Sequence, residues 1–144
     1  MQRPDYAANY EILMAVVTHL AVNKWPARQP KGIAKDLSIE NVDAVRGVLR
    51  TFKGLFRESR GVSRDHGEPL YSLHLRHSRF VVTDEEQERP PLNTEDLFAL
   101  LRLVSEKAAQ QTQQASALRI AALTSIISLM VAAASLLVAL HKGL

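Results

Sequence analysis

The chain has 144 residues, a formal net charge of +3 and no cysteine, which excludes disulfides, zinc-thiolate sites and a thiol nucleophile. Once the apolar C-terminal stretch is set aside, enough remains for one small domain with a modest core, and hardly for an elaborate enzyme. Residues 1–82 hold thirteen Lys/Arg against eight Asp/Glu, and residues 83–119 hold four against seven, so a basic head adjoins an acidic neck and polyanions, nucleic acid or anionic lipid, are the expected partners.

The opening residues Met1-Gln2-Arg3-Pro4-Asp5-Tyr6 lack the apolar core of a signal peptide, so export of the head is not expected. Asp5 is placed to cap a first helix, in which Tyr10, Leu13, Met14, Val17, Leu20 and Ala21 recur on one stripe until Asn23. Pro26 and Pro30 punctuate the next stretch, and Pro30 suits the first turn of a second helix with Ile33, Ala34 and Leu37 facing inward. After a turn over residues 38–41, a third helix buries Val45, Val48, Leu49 and Phe52, and Gly54 offers its stop. Arg46, Arg50 and Lys53, spaced four and three apart, share the opposite face. Three charges alone also suit a solvated helix surface.

Residues 55–59 and 69–76 read as two strands joined by a polar loop, the second alternating Tyr71, Leu73 and Leu75 against Ser72, His74 and Arg76. On that reading His74 and His77 lie on opposite faces of a strand. No carboxylate pair completes a metal site, and phosphate-binding glycine loops and nucleophile elbows are absent, so neither metal, cofactor nor enzymatic activity is expected.

Three helices with a tight turn between the second and third, followed by a hairpin, resemble the winged helix-turn-helix superfamily over about residues 7–77. The residues that carry the likeness are Ile33, Ala34, Leu37 and Ile39, then Val45, Leu49 and Phe52, then Gly54-Leu55-Phe56, then Leu70-Tyr71-Ser72-Leu73. The resemblance implies that the third helix enters the major groove of duplex DNA. It implies that Asn41, Asp43, Arg46 and Arg50 face base edges or phosphates, Arg46 and Arg50 foremost, with Lys53, Arg57, Arg60 and Arg64 adding phosphate contacts. Lys31 and Lys35, early in the second helix, would grip the neighbouring backbone. Gly47 inside the third helix departs from a good helix former. Some winged helices bind protein instead, which makes a protein partner the competing expectation for the head.

Residues 83–92, acidic and containing the Pro90-Pro91 pair, read as a flexible linker. From an Asn93 or Thr94 cap, a stalk extends over 93–119, in which Leu97, Leu101, Val104, Ala108, Gln111, Ala115 and Leu118 step by four and three. That is the seam of a short parallel coiled coil, and it also fits an amphipathic helix lying against the head or a bilayer surface. Residues 120–140 carry no charge, proline or glycine and as a helix measure about 31 Å, the thickness of a bilayer core. They should span a membrane once, leaving a short tail at 141–144. Small residues continue the heptad line through Ser125, Ala132 and Ala139, as close helix packing in lipid requires. Arg102, Lys107 and Arg119 before the span, against Lys142 after it, put the N-terminus in the cytoplasm, with a bacterial inner membrane as the expected setting.

The sequence thus predicts a mainly α protein with an α+β head at 1–82, a linker, and one long helix running from stalk into a transmembrane tail anchor. Its expected function is oligomeric, regulatory binding of DNA or other nucleic acid at the cytoplasmic face. The alternative is a membrane-disrupting or pore-forming effector whose head docks a protein or senses a signal.

Overall fold

The computed structural model describes residues 4–62, 67–79, 81–82 and 87–142. It is mostly helical, with small two-stranded sheets and one long apolar C-terminal helix. The chain forms two units, Met1–Ala108 and Ala109–Leu144.

Helix α1 (Tyr10–Val22) starts later than Asp5 suggests. Asp5 instead closes a separate turn: its Oδ1 accepts the Ala8 N–H at 2.9 Å and its carbonyl accepts from Asn9 Nδ2 at 2.8 Å. Helix α2 (Pro30–Asp36) has Pro30 in its first turn, where the missing N–H costs nothing. It ends in a Schellman arrangement, with Ile39 N–H donating to Ala34 O (2.8 Å), Ser38 N–H to Lys35 O (3.2 Å), and Ser38 at φ 54° where glycine is commoner. Helix α3 (Val42–Thr51) is capped by Asn41, whose Oδ1 accepts the Ala44 N–H at 3.1 Å. Gly47 does not interrupt it.

Strands β1 (Phe56–Val62) and β2 (Pro69–Leu73) pair antiparallel, Phe56 opposite Leu73 and Glu58 opposite Tyr71, with an irregularity between Glu58 and Val62. Tyr71 also exchanges both backbone hydrogen bonds with Arg28 (2.8 and 2.9 Å), so the α1–α2 connection adds a single bridge on the far side of β2. The core joins Leu13, Val16, Val17 and Leu20 of α1 to Ile33, Val45, Leu49 and Phe52, with Phe56, Tyr71 and Leu73 closing it from the sheet. Tyr6 meets Phe52 edge-on at 4.8 Å.

The structure corrects three expectations. First, β2 stops at Leu73 and the chain turns into α4 (His74–Ser78), so His74 and Arg76 are not outward-facing strand residues. Arg76 is fully buried. Its Nη1 donates to Leu20 O (2.8 Å) and Asn23 O (2.6 Å), Nε to Arg89 O (3.2 Å) and Pro90 O (3.1 Å), and Nη2 to Arg89 O (3.1 Å). A helix C-terminus presents carbonyls without partners, and a guanidinium with five donors in a fixed fork answers several at once. Burial pulls the Arg76 pKa below its ordinary value, though guanidinium stays charged in proteins.

Second, the end of the expected linker is stitched to the head. β3 (Val81–Val82) pairs with β4 (Gln87–Glu88), Arg89 and Pro90 hold Arg76, and buried Leu92 donates its N–H to Ala21 O at 2.9 Å. Residues 83–86 lie outside the described residues. Arg76 and Leu92 between them satisfy Leu20 O and Ala21 O at the end of α1, which explains why an acidic, proline-containing segment is held here.

Third, the first half of the expected oligomer seam is used inside the head. In α5 (Thr94–Lys142), Val104 and Ala108 are buried and Leu97 and Leu101 pack against the core, with Tyr10 Oη 3.1 Å from Ser105 Oγ. Of the competing stalk readings, the helix lying on the head is the one observed for residues 97–108. Asn93 caps α5 through Asp96 N–H (2.8 Å), and Arg79 pairs with Asp96.

In the second unit, α5 is long and apolar enough to cross a membrane. Ala115, Leu118, Ser125 and Ala132 are exposed along it and Gln111 is half-buried, while the Ala139 side chain lies outside the described residues. The hydroxyls of Thr124, Ser125 and Ser135 each donate to the carbonyl four residues earlier at 2.9 Å. These polar groups are therefore satisfied within the helix, as an apolar solvent demands.

Candidate functional site

The C-terminal end of α3, β1 and the start of α4 surround a recess of about 240 Å³. The α3 stripe is amphipathic because Val45, Val48 and Leu49 turn inward, which leaves Arg50 and Lys53 outside at the edge of the sheet. Leu49, Phe56 and Tyr71 form the recess floor; Arg50, Lys53, Arg57 and His74 form its walls. Glu58 supplies the one carboxylate among its lining residues.

Tyr71 ties the floor together. Its hydroxyl donates to Glu58 Oε2 at 3.1 Å. Burial pushes the phenol above its ordinary value, Arg50 works against this, and Glu58 adds to it. His74 Nε2 lies 3.1 Å from Lys53 O, and since a carbonyl only accepts, Nε2 carries the proton of that hydrogen bond. His77 follows one turn of α4 later, not on an opposite face. Burial first, then the charges of Arg89, Arg57 and His74, pull its pKa below the ordinary histidine value. Among the described residues, no three His, Asp or Glu side chains come together as metal ligands.

The sequence-derived candidates divide. Arg50, Lys53 and Arg57 come together at the recess. Arg46, a foremost candidate from sequence, is engaged elsewhere: its Nη2 donates to Glu68 Oε1 at 2.7 Å and its Nη1 pairs with Asp43. The Glu68 bond raises its pKa further, against the smaller opposing effect of burial. Asn41 Oδ1 is occupied as the α3 cap. Lys31 and Lys35 are exposed on α2 and do not line the recess. Arg60 lies in β1, where only its backbone is described, and Arg64 lies outside the described residues.

Sequence reasoning missed Tyr71, Glu58 and His74 as parts of this site. Tyr71 was legible as an inward strand residue, but that its hydroxyl reaches Glu58 depends on the strand register. No protein-family model, curated protein or solved structure matches the chain.

Proposed function

We propose that the head is a winged-helix module that binds nucleic acid, duplex DNA foremost, and that the long apolar helix tethers it to a membrane with the head in the cytoplasm. The order of three helices and a hairpin, with Arg28 bridging to the hairpin's second strand, supports the fold assignment. The observation that carries the functional reading is the convergence of Arg50, Lys53 and Arg57 on one recess beside α3, against a single carboxylate. Cation-phosphate contacts would supply most of the affinity and make it salt-dependent. The interface is accordingly shifted toward the C-terminal end of α3, since Arg46 and Asn41 already have partners.

The effector reading loses support because three of the four hydroxyls in the span, those of Thr124, Ser125 and Ser135, donate to their own helix. Self-association, if carried by the expected seam, falls to Gln111, Ala115, Leu118, Ser125, Ala132 and Ala139, beyond the part buried in the head.

The test is fluorescence anisotropy of a labelled duplex titrated with the full chain in non-ionic detergent at increasing salt. Replacing Arg50, Lys53 and Arg57 together by Gln is expected to weaken binding by at least tenfold at low salt and to flatten the salt dependence by about three phosphate contacts. An unchanged affinity in the triple variant, or no binding at low salt, refutes the reading.

A further inference from the structure

The same recess has a shape that a nucleic-acid backbone alone does not require. At about 240 Å³ it is smaller than the roughly 300–1,000 Å³ of a drug-sized ligand pocket, and its floor is closed by Leu49, Phe56 and Tyr71. A phosphodiester runs past such a hollow, because both of its ends continue into the strand. A phosphate monoester has one free end, enters head first, and carries about 1.5 to 2 negative charges at neutral pH, where a diester carries one.

The walls match that charge. Arg50, Lys53 and Arg57 line the recess with one acidic residue, Glu58, whose carboxylate already accepts from the Tyr71 hydroxyl. Guanidinium forks hold two phosphate oxygens each, and the lysine adds a point charge. The recess lies at a helix C-terminus, whose carbonyls ordinarily repel anions. Here the C-cap carbonyl is already engaged: Phe52 O accepts from the N–H groups of Leu55 (2.9 Å) and Phe56 (3.0 Å), and the next carbonyl, Lys53 O, accepts from His74.

We propose that this recess is a site for a nucleotide phosphate monoester, either the phosphorylated 5′ end of a strand or a free mononucleotide. The proposal rests on the nucleic-acid reading only for the first of these two sources. Arg50 and Arg57 clamp the phosphate oxygens, Lys53 neutralises the remaining charge, and the apolar floor excludes water from beneath it.

The experiment uses the full chain in non-ionic detergent and two blunt duplexes of one sequence, labelled at a 3′ end, one with 5′ phosphates and one with 5′ hydroxyls. Adenosine monophosphate and inorganic phosphate serve as competitors. The 5′-phosphorylated duplex is expected to bind about tenfold more tightly, and Arg50→Gln or Arg57→Gln should abolish the difference. Glu58→Gln keeps an acceptor for Tyr71 but removes the carboxylate, so it should strengthen phosphate binding several-fold, a gain that misfolding cannot produce. If micromolar adenosine monophosphate displaces the preference, the free nucleotide is the source; if it fails, the strand end is. Equal affinity for both duplexes, without binding of the mononucleotide, overturns the recess proposal and leaves the nucleic-acid reading standing. Binding of the mononucleotide without either duplex sustains the recess and overturns the nucleic-acid reading, and failure of every ligand overturns both.

Discussion

Arg76→Leu is expected to destabilise the head by about 3–5 kcal/mol, enough to leave much of a small domain unfolded at room temperature. The leucine removes the donors that satisfy Leu20 O, Asn23 O, Arg89 O and Pro90 O. Each buried carbonyl left without a partner costs about 1–3 kcal/mol, although local relaxation toward water reduces the total. The loss is also geometric, since Arg76 joins the end of α1 to the Arg89–Pro90 segment, leaving the Leu92 N–H to Ala21 O bond beside it. Arg76→Lys keeps the charge but offers three donors from a single nitrogen, so it should recover only part of the stability. Chemical denaturation of a fragment ending at Ala108 measures both variants. A loss below about 1 kcal/mol for the leucine variant would mean that the guanidinium does not organise this end of the head.

The second large effect concerns where the folding unit ends. A fragment ending at Val82 should be unfolded, whereas one ending at Ala108 should fold cooperatively. The shorter fragment lacks Leu92, Val104 and Ala108, all buried, and the partly buried Leu97, Leu100 and Leu101 that pack on the core. Fully burying an aliphatic side chain contributes roughly 1.5–3 kcal/mol. The combined loss is therefore on the order of 5–10 kcal/mol, comparable with the whole stability of a small domain, about 5–15 kcal/mol. The cut also removes two of the four carbonyls that hold Arg76 and the Leu92 N–H that caps Ala21 O. Amide chemical-shift dispersion in the two fragments distinguishes the outcomes. A well-dispersed spectrum from the shorter fragment would show that the first turns of α5 are dispensable.

Much of the head could be read from hydrophobic spacing. The α3 stripe of Val45, Val48, Leu49 and Phe52 and the Pro30 start of α2 are local signals, and packing followed them. The apolar helix was legible for the same reason, since an uninterrupted uncharged run of that length has few other uses. The misses share a different cause. Arg76 continued the polar side of an alternating pattern, and nothing local shows that a charged residue will be buried against helix-end carbonyls from more than fifty positions earlier. Residues 89–91 are one arginine and two prolines, yet Arg89 and Pro90, like Leu92 after them, bond through backbone groups, which composition does not report. A heptad stripe states only that one face is buried. It does not say whether the cover is a second chain or the protein's own core, and Val104 and Ala108 have the latter.

The candidate site shows the same division. Arg50 and Lys53 were recoverable from helical spacing, while the engagement of Arg46 depends on Glu68, twenty-two residues away across the hairpin loop. The difference is decided by tertiary placement and moves the cationic focus from the middle of α3 to its C-terminal end.

The most direct test of a membrane-tethered polyanion binder is co-flotation of labelled duplex DNA with neutral phosphatidylcholine vesicles to which the full chain has been added. The account predicts that DNA rises with the vesicles at low salt, stays behind at high salt, and stays behind with Arg50, Lys53 and Arg57 replaced by Gln although the protein still floats. A chain that remains at the bottom of the gradient, or DNA that floats equally well with the triple variant, contradicts it.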